Sequence, residues 1–339
     1  MQNMNKSLKS NQSRYYIFGH SDYIKYSLSD ILSDDNVNYI DFFQSDPNIV
    51  RFLLSKKTPS FIKLLFWKYL SRNVKGFRFI EEPSPYDVFI LYEKNYFSRD
   101  KMFLSYLRKF SPKGKIVFIE TNLLSEQWKK NNHDTFEMII SGQYYDEVIT
   151  FNKPDAEQFG FRYFQFVNSK CKFCLDSDEA VESDVFFCGR DKGRGEKLEQ
   201  IYVRLTQRGM KCNFILIKDE TTAKEYAEGI HVLNHPIPNT EVLKNMSRSK
   251  CILDLAFDRT SPGQSLRFSE AIAYEKLLLT DNPFTTDNEL FHAGQMIVIE
   301  NAEELDVREI EEKIKKKDYL SPDVVSPKKI LKFVRNIDN

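Results

Sequence analysis

The chain has 339 residues, more than one hydrophobic core usually organises, and 41% of them are apolar, so two domains are the natural expectation. Lys plus Arg and Asp plus Glu both total 49 and the formal net charge is zero, which excludes a chain-wide field for nucleic acid and makes any anion recognition local. No run approaches the roughly 20 apolar residues of a membrane span, and the polar start MQNMNKSLKSNQSR has no signal-peptide core, so the expectation is a cytoplasmic protein whose residues 1–13 are disordered.

In chain order, YYIFG (15–19) reads as a strand, SDYIKYSLSDILSD as a helix with Ser21 as its cap, and NYIDFF (38–43) as the next strand. DVFILY (87–92) and KIVFIE (115–120) are near-continuous apolar runs, as in strands buried on both faces. DEVITF (146–151) follows, then a helix over PDAEQFG that Pro154 opens and Gly160 ends. The polar stretch SKCKFCLDSDEAVES marks a linker over 169–183.

Beyond it the rhythm repeats: strand DVFFCG (184–189), a helix from Glu196 to Arg208 stopped by Gly209, strand KCNFILI, a helix over TTAKEYAEG, strand HVLN, a helix over NTEVLKNMSRS, strand CILDLAF, a helix over SLRFSEAIAYE, and strands KLLLT and MIVIE. A last helix over SPKKILKFVRN closes the chain. The pattern predicts an α/β protein with two Rossmann-like doubly wound domains, 14–168 and 184–320, followed by 321–339, whose helix packs on either domain.

Cys188, Cys212 and Cys251 lie in apolar strand runs, where reduced cysteine acts as a small hydrophobe. Cys171 and Cys174 form a C-x-x-C without a second pair at zinc spacing, and read as ordinary linker cysteines. Asp176-Ser-Asp178 sits in the same acidic linker and not at a strand end, so it does not read as a metal site.

Two places carry chemistry. Gly189, Arg190, Lys192, Gly193, Arg194 and Gly195 form a basic, glycine-bearing strand–helix junction, where backbone N–H groups and cations suit a diphosphate. The spacing fits neither a P-loop nor a dinucleotide fingerprint, and a plain solvated turn is the rival reading. In the second place, Ser261, Gly263, Gln264 and Ser265 precede a helix on which Arg267 and Glu270 share a face at i and i+3. A cation for phosphate beside a carboxylate for sugar hydroxyls suits a nucleotide diphosphate; the rival is a surface ion pair.

The stretch Arg267-Phe-Ser-Glu270-Ala-Ile-Ala-Tyr-Glu-Lys276-Leu-Leu-Leu-Thr280-Asp-Asn282 resembles the C-terminal half of group 1 GT-B glycosyltransferases of the bacterial capsule and lipopolysaccharide type, over most of 184–301. The resemblance implies two domains facing each other across a cleft, with Glu270 on the donor ribose and the Gly189 to Arg194 loop near the donor phosphates. It also places the region of Pro236 and Ile237 beside the nucleobase. It implies a UDP- or GDP-linked donor, a glycan or lipid-linked glycan acceptor, and neither metal nor other cofactor. Many relatives carry a second glutamate where this chain has Pro262, which leaves the stereochemical course open. A degenerate binding or scaffold subunit is the alternative to an enzyme.

By the same logic the first half binds acceptor, and the base toward its hydroxyl is sought among His20, Asp22 and Glu120, with Glu93 a further strand-end carboxylate. Residues 55–79 are basic and carry Phe61, Leu64, Leu65 and Lys68 at helical spacing beside Trp67. Two readings stand open there: a helix lying on the inner membrane face, or a crossover helix packed on its own sheet.

Overall fold

The computed structural model describes residues 13–335 apart from 20, 41–47, 49–50, 53–54, 56–57, 74–83, 85, 94–95, 172–179, 220–224, 257–264 and 283–288. The chain divides into two compact units, Met1–Gln165 with Lys328–Asn339, and Phe166–Pro327. Each is built on one six-stranded sheet whose neighbouring strands all run parallel.

The sheet of unit 1 has the order β2-β1-β3-β4-β5-β6. Its strands are β1 (Arg14–Phe18), β2 (Val37–Ile40), β3 (Asp87–Tyr92), β4 (Lys115–Glu120), β5 (Glu147–Thr150) and β6 (Arg162–Tyr163). Every residue of β3 is buried, as its unbroken apolar run requires of a strand covered on both faces. From β1 the chain moves out to β2 and returns to β3 on the other side, so the winding reverses between β1 and β3. Helix α1 (Asp22–Ser27) is shorter than the sequence pattern suggests, and Ser21 makes no capping hydrogen bond. The Ser27 hydroxyl donates to the Ile24 carbonyl at 3.0 Å, the local competition that makes serine a poor helix interior.

Helix α2 (Ser60–Asn73) leans on this sheet through Trp67, which is fully buried. Its indole meets the rings of Phe97 and Phe103 at 5.0 and 4.7 Å, Phe103 belonging to helix α3 (Lys101–Phe110). The crossover reading of 55–79 therefore holds for one face of α2. Helices α4 (Glu126–Asn131), α5 (His133–Ile140) and α6 (Lys153–Phe159) follow, and Gly160 ends α6 in the left-handed region at φ 71°, where a side chain would be strained.

Unit 2 has the order β12-β11-β10-β7-β8-β9. Its strands are β7 (Ser183–Arg190), β8 (Cys212–Ile217), β9 (Ile230–Leu233), β10 (Ser249–Asp254), β11 (Leu277–Thr280) and β12 (Met296–Val298). The first strand, β7, pairs with both β8 and β10, so the winding reverses between β7 and β10, the position where doubly wound sheets open a crevice at their carboxyl edge. Helix α7 (Gly195–Thr206) buries Leu198, Ile201 and Leu205 at i, i+3 and i+7. Helices α8 (Asn239–Ser247), α9 (Leu266–Ala273), α10 (Glu289–His292) and α11 (Val307–Lys316) complete the unit.

The helix expected over TTAKEYAEG is absent from its described part: Glu225 to Ala227 are irregular and Glu228 and Gly229 form a turn. There the Ala227 N–H goes to Glu199 at 2.7 Å and the Tyr226 hydroxyl to Asp191 at 2.8 Å, bonds that replace a helical ladder. Cys188, Cys212 and Cys251 are free thiols. Cys171, by contrast, is buried and disulfide-bonded, which corrects its reading as an ordinary linker cysteine; Cys174, Asp176 and Asp178 lie outside the described residues. The last helix, α12 (Lys328–Arg335), belongs to unit 1: the Tyr15 hydroxyl donates to the Leu331 carbonyl at 3.1 Å, and the Phe333 ring lies 4.5 Å from that of Phe164.

Replacing Trp67 by alanine empties the space between α2 and the sheet, and is expected to destabilise unit 1 by about 3–5 kcal/mol. Urea unfolding followed by tyrosine fluorescence measures this, and a loss below about 1 kcal/mol would contradict the packing described.

Candidate functional site

A cluster of charged side chains occupies the carboxyl edge of unit 2 at the winding reversal. Ser265 caps α9, its hydroxyl accepting the Arg267 N–H at 3.1 Å and donating to Asp254 Oδ2 at 2.8 Å. Asp254, the last residue of β10, also accepts from the Thr280 hydroxyl at the end of β11 at 3.2 Å. Arg267 reaches sideways from the first turn of α9: one guanidinium nitrogen donates to Glu270 Oε2 and the other to the Cys188 carbonyl on β7 at 3.2 Å. Three strands and one helix start are thus tied together by one serine, one aspartate and one arginine.

Glu270 is 2% exposed, and its Oε1 accepts no hydrogen bond among the described residues. Burial pushes its carboxyl upward, and the adjacent guanidinium of Arg267 pulls it back. Asp254 is likewise raised by burial and restrained by Ser265 and Arg267. Burial is the costly term for both carboxylates; the ion pair with Arg267 offsets it at Glu270, and the Ser265 hydrogen bond with the nearby Arg267 charge offsets it at Asp254.

The β7–α7 loop borders this cluster. Lys192 and Gly193 both take left-handed backbone, at φ 46° and 78°, uncommon for a lysine and a form of local strain found at functional loops. Asp191 accepts the Gly195 N–H at 2.9 Å and the Tyr226 hydroxyl at 2.8 Å. The amino end of α7 is therefore partly capped by the chain's own carboxylate, where the sequence alone suggests backbone donors open to an anion. Arg194 turns inward, donating to the carbonyls of Arg190 at 2.9 Å and of Leu255. Gly189 makes room for it, since a Cβ there would stand 2.5 Å from Arg194 Nη2. Arg190 and Lys192 remain exposed, and the Arg190 side chain has no partner among the described residues.

Of the predicted donor-side residues, the structure brings together Gly189, Arg194, Ser265, Arg267 and Glu270, with Arg190 and Lys192 on the adjoining loop. Gly263 and Gln264 lie outside the described residues, as do Ser261 and Pro262. Pro236 is exposed and Ile237 half-buried ahead of α8, and neither is bonded to the cluster among the described residues; burial raises the Cys188 thiol, and Glu241 on α8 adds to the rise. Sequence reasoning missed Asp254 and Asp191, and also the ion pair between Lys197 and Asp281 at 2.9 Å, whose carboxylate holds the Ala256 N–H at 2.6 Å. The available signal was an acidic residue closing an apolar run, as in CILD and LLLTD.

Unit 1 carries its own carboxylate pair at its carboxyl edge. Glu93, just past β3, accepts from Arg99 at 3.3 Å, Thr121 at 3.3 Å and the Asn122 side chain at 2.7 Å. Glu120, the last residue of β4, is fully buried; its Oε1 accepts the Asn122 N–H at 2.9 Å and its Oε2 has no partner among the described residues. Burial first, and the neighbouring Glu93 second, hold its carboxyl well above the usual carboxylate range. Burial so placed disfavours the charged form of this carboxyl, whereas the sequence reading sought a base. Asp22 is exposed on α1, and His20 lies outside the described residues.

The raised carboxyl has a consequence for stability. Because the folded-state value of Glu120 exceeds the unfolded value of about 4.3, its contribution is complete below that pH and is lost as pH rises through the folded value. Glu120→Gln is expected to flatten the decline of stability on the alkaline side by up to about 1.4 kcal/mol per pH unit. Urea titrations between acid and mildly alkaline pH test this, and an unchanged slope would refute the raised carboxyl at Glu120.

No family model matches the chain and no curated protein matches its sequence. Its fold, however, matches solved structures along nearly the whole length. An alpha,alpha-trehalose-phosphate synthase (UDP-forming) from Burkholderia vietnamiensis aligns with TM-score 0.55 and 10% identity, over 96% of this chain and 100% of that one. An alpha-glucosyltransferase in complex with UDP-glucose and DNA containing an abasic site aligns with TM-score 0.53 and 12% identity, over 95% and 99%. A UDP-N-acetylglucosamine 2-epimerase aligns with TM-score 0.52 and 11% identity, over 95% and 96%. At this identity the likeness establishes architecture: the chain has the GT-B fold, two Rossmann-like α/β units in series.

Proposed function

We propose that the chain is a glycosyltransferase that moves a sugar from a UDP- or GDP-linked donor to a hydroxyl of a surface-polysaccharide acceptor of the capsule or lipopolysaccharide kind. The observation that carries this reading is Glu270: a buried carboxylate at the winding reversal of a parallel sheet, with one oxygen anchored by Arg267 and the other accepting no hydrogen bond among the described residues. Such an oxygen accepts hydrogen bonds from ribose hydroxyls without displacing its own support. The exposed cations Arg190 and Lys192 on the adjoining strained loop support a diphosphate site there.

In the proposed reaction the bond between the anomeric carbon and the diphosphate oxygen breaks as the acceptor oxygen attacks. Negative charge grows on the departing diphosphate, where Arg190 and Lys192 stabilise it without a metal. The acceptor proton passes to a group of unit 1, His20 or Asp22 behind β1. The fold neighbours include an epimerase as well as transferases, so the fold does not decide between moving the sugar and inverting one of its carbons. Chemistry at the anomeric carbon is favoured by the cations gathered around the leaving diphosphate.

Thermal unfolding with UDP and with GDP tests the donor site. Ligand at about 100 times Kd adds roughly 2.7 kcal/mol, and the double variant Arg190→Ala, Lys192→Ala should lose most of the shift while unfolding like the wild type without ligand. Glu270→Gln, which keeps the side-chain volume, should abolish the response to nucleotide. No stabilisation by either nucleotide would contradict the reading and favour a non-catalytic scaffold. Incubation with nucleotide sugars followed by NMR then separates outcomes: a transferase releases free nucleoside diphosphate, and an epimerase leaves the glycosidic phosphate bond intact with a new sugar signal.

A further inference from the structure

A second charged site lies within unit 2, at the end of α7 away from the donor loop. Arg204 in the last turn of α7 and Arg208 just past it line a cavity of about 220 Å³ together with Asp306, Val307, Arg308 and Glu311 from the start of α11. Helix α7 has 12 residues and so spans about 18 Å, which separates this cavity from the loop carrying Arg190 and Lys192. Arg204 is half-buried, and its Nε donates to the Leu305 carbonyl at 3.3 Å. Arg208 and Arg308 are exposed, and neither side chain makes an ion pair or hydrogen bond among the described residues.

Three guanidiniums around one small cavity repel one another, and the chain's own carboxylates do not answer them. Arg204 and Arg208 stand at i and i+4, a spacing at which like charges destabilise. Their place suits the carboxyl end of α7, whereas Arg308 sits in the first turn of α11, where a cation opposes the helix dipole. Asp306 uses its side chain to cap α11, accepting the Arg308 N–H at 2.9 Å. Glu311, three residues after Arg308 and at ion-pair spacing, makes no such pair among the described residues. Elsewhere on the same helix opposite charges do meet, Lys313 and Glu309 at 3.7 Å.

An anion supplies the partner these side chains lack. A metal ion is disfavoured, because three cations outnumber two carboxylates in the lining. Among the lining residues only Val307 is apolar, too little for an apolar ligand. Size narrows the choice: pockets for drug-sized ligands run to about 300–1,000 Å³, so this one takes a phosphate or diphosphate group and not an attached nucleoside. A phosphate group carries up to about two negative charges, and guanidinium forks match its oxygens. We propose that the cavity binds a phosphate-bearing anion, with Arg204, Arg208 and Arg308 as its partners. The site is independent of the donor reading and of Glu270.

Calorimetric titration of the full chain at low salt tests it, with pyrophosphate and glucose 1-phosphate as probes. The titration uses the Arg190→Ala, Lys192→Ala chain as parent, so that the donor loop does not contribute. The parent is expected to bind one equivalent, more weakly as salt is raised. Tighter binding of pyrophosphate identifies a free diphosphate as the ligand, and tighter binding of glucose 1-phosphate a phosphorylated sugar. Adding Arg208→Gln and Arg308→Gln should weaken binding at least about ten-fold, with the thermal unfolding of the parent. Glu311→Gln removes a repelling carboxylate and should tighten binding by about two-fold. The proposal is overturned if the parent binds neither probe, if affinity survives Arg208→Gln and Arg308→Gln unchanged, or if Glu311→Gln weakens it. In the otherwise unchanged chain, Arg208→Gln with Arg308→Gln should leave the response to UDP or GDP as it is, which separates this cavity from the donor site.

Discussion

Arg267 is the group on which the carboxyl edge of unit 2 depends. Its guanidinium holds Glu270 on its own helix and the Cys188 carbonyl on β7, while Ser265, two residues earlier, holds Asp254 on β10. The helix start, the two central strands and two buried carboxylates are fixed relative to one another by these contacts. A buried ion pair of this kind adds little net stability over an apolar replacement, although breaking it by removing one partner costs about 3–5 kcal/mol. Buried charges gathered at a sheet's carboxyl edge are therefore better explained by what they bind than by what they stabilise.

The two units use the same architecture for different chemistry. Unit 2 gathers both signs of charge at its winding reversal and leaves two exposed cations beside it. Unit 1 places two carboxylates at adjacent strand ends, one fully hydrogen-bonded and the other with an oxygen unpartnered. A shared fold leaves the reaction open, as an epimerase among the fold neighbours shows. The reading as a transferase rests on the residues, chiefly Glu270 and the cations of the β7–α7 loop.

Much of this was legible in the sequence because parallel strands buried on both faces leave a plain mark. DVFILY and KIVFIE became β3 and β4 with the bounds their apolar runs indicate. The helix carrying Arg267 and Glu270 began at Leu266, where its serine cap predicts. What stayed hidden depended on contacts distant in sequence. Asp191 caps α7 only because the turn at Lys192 and Gly193 folds back on it. Asp254 joins the site through partners 11 and 26 residues away. Pattern also misled where side chains compete with the backbone, as at Ser27 and Tyr226, and no periodicity announces that Glu120 ends in a place without a partner for one oxygen.

The proposed donor site lies at the carboxyl edge of unit 2 between β7 and β10. Backbone hydrogen exchange of the full chain, measured with and without saturating UDP and GDP, reads this segment by segment. One of the two nucleotides should slow exchange at residues 188–195 and 265–273, leaving 115–120 in unit 1 unchanged. Protection confined to unit 1, or no protection with either nucleotide, would contradict it.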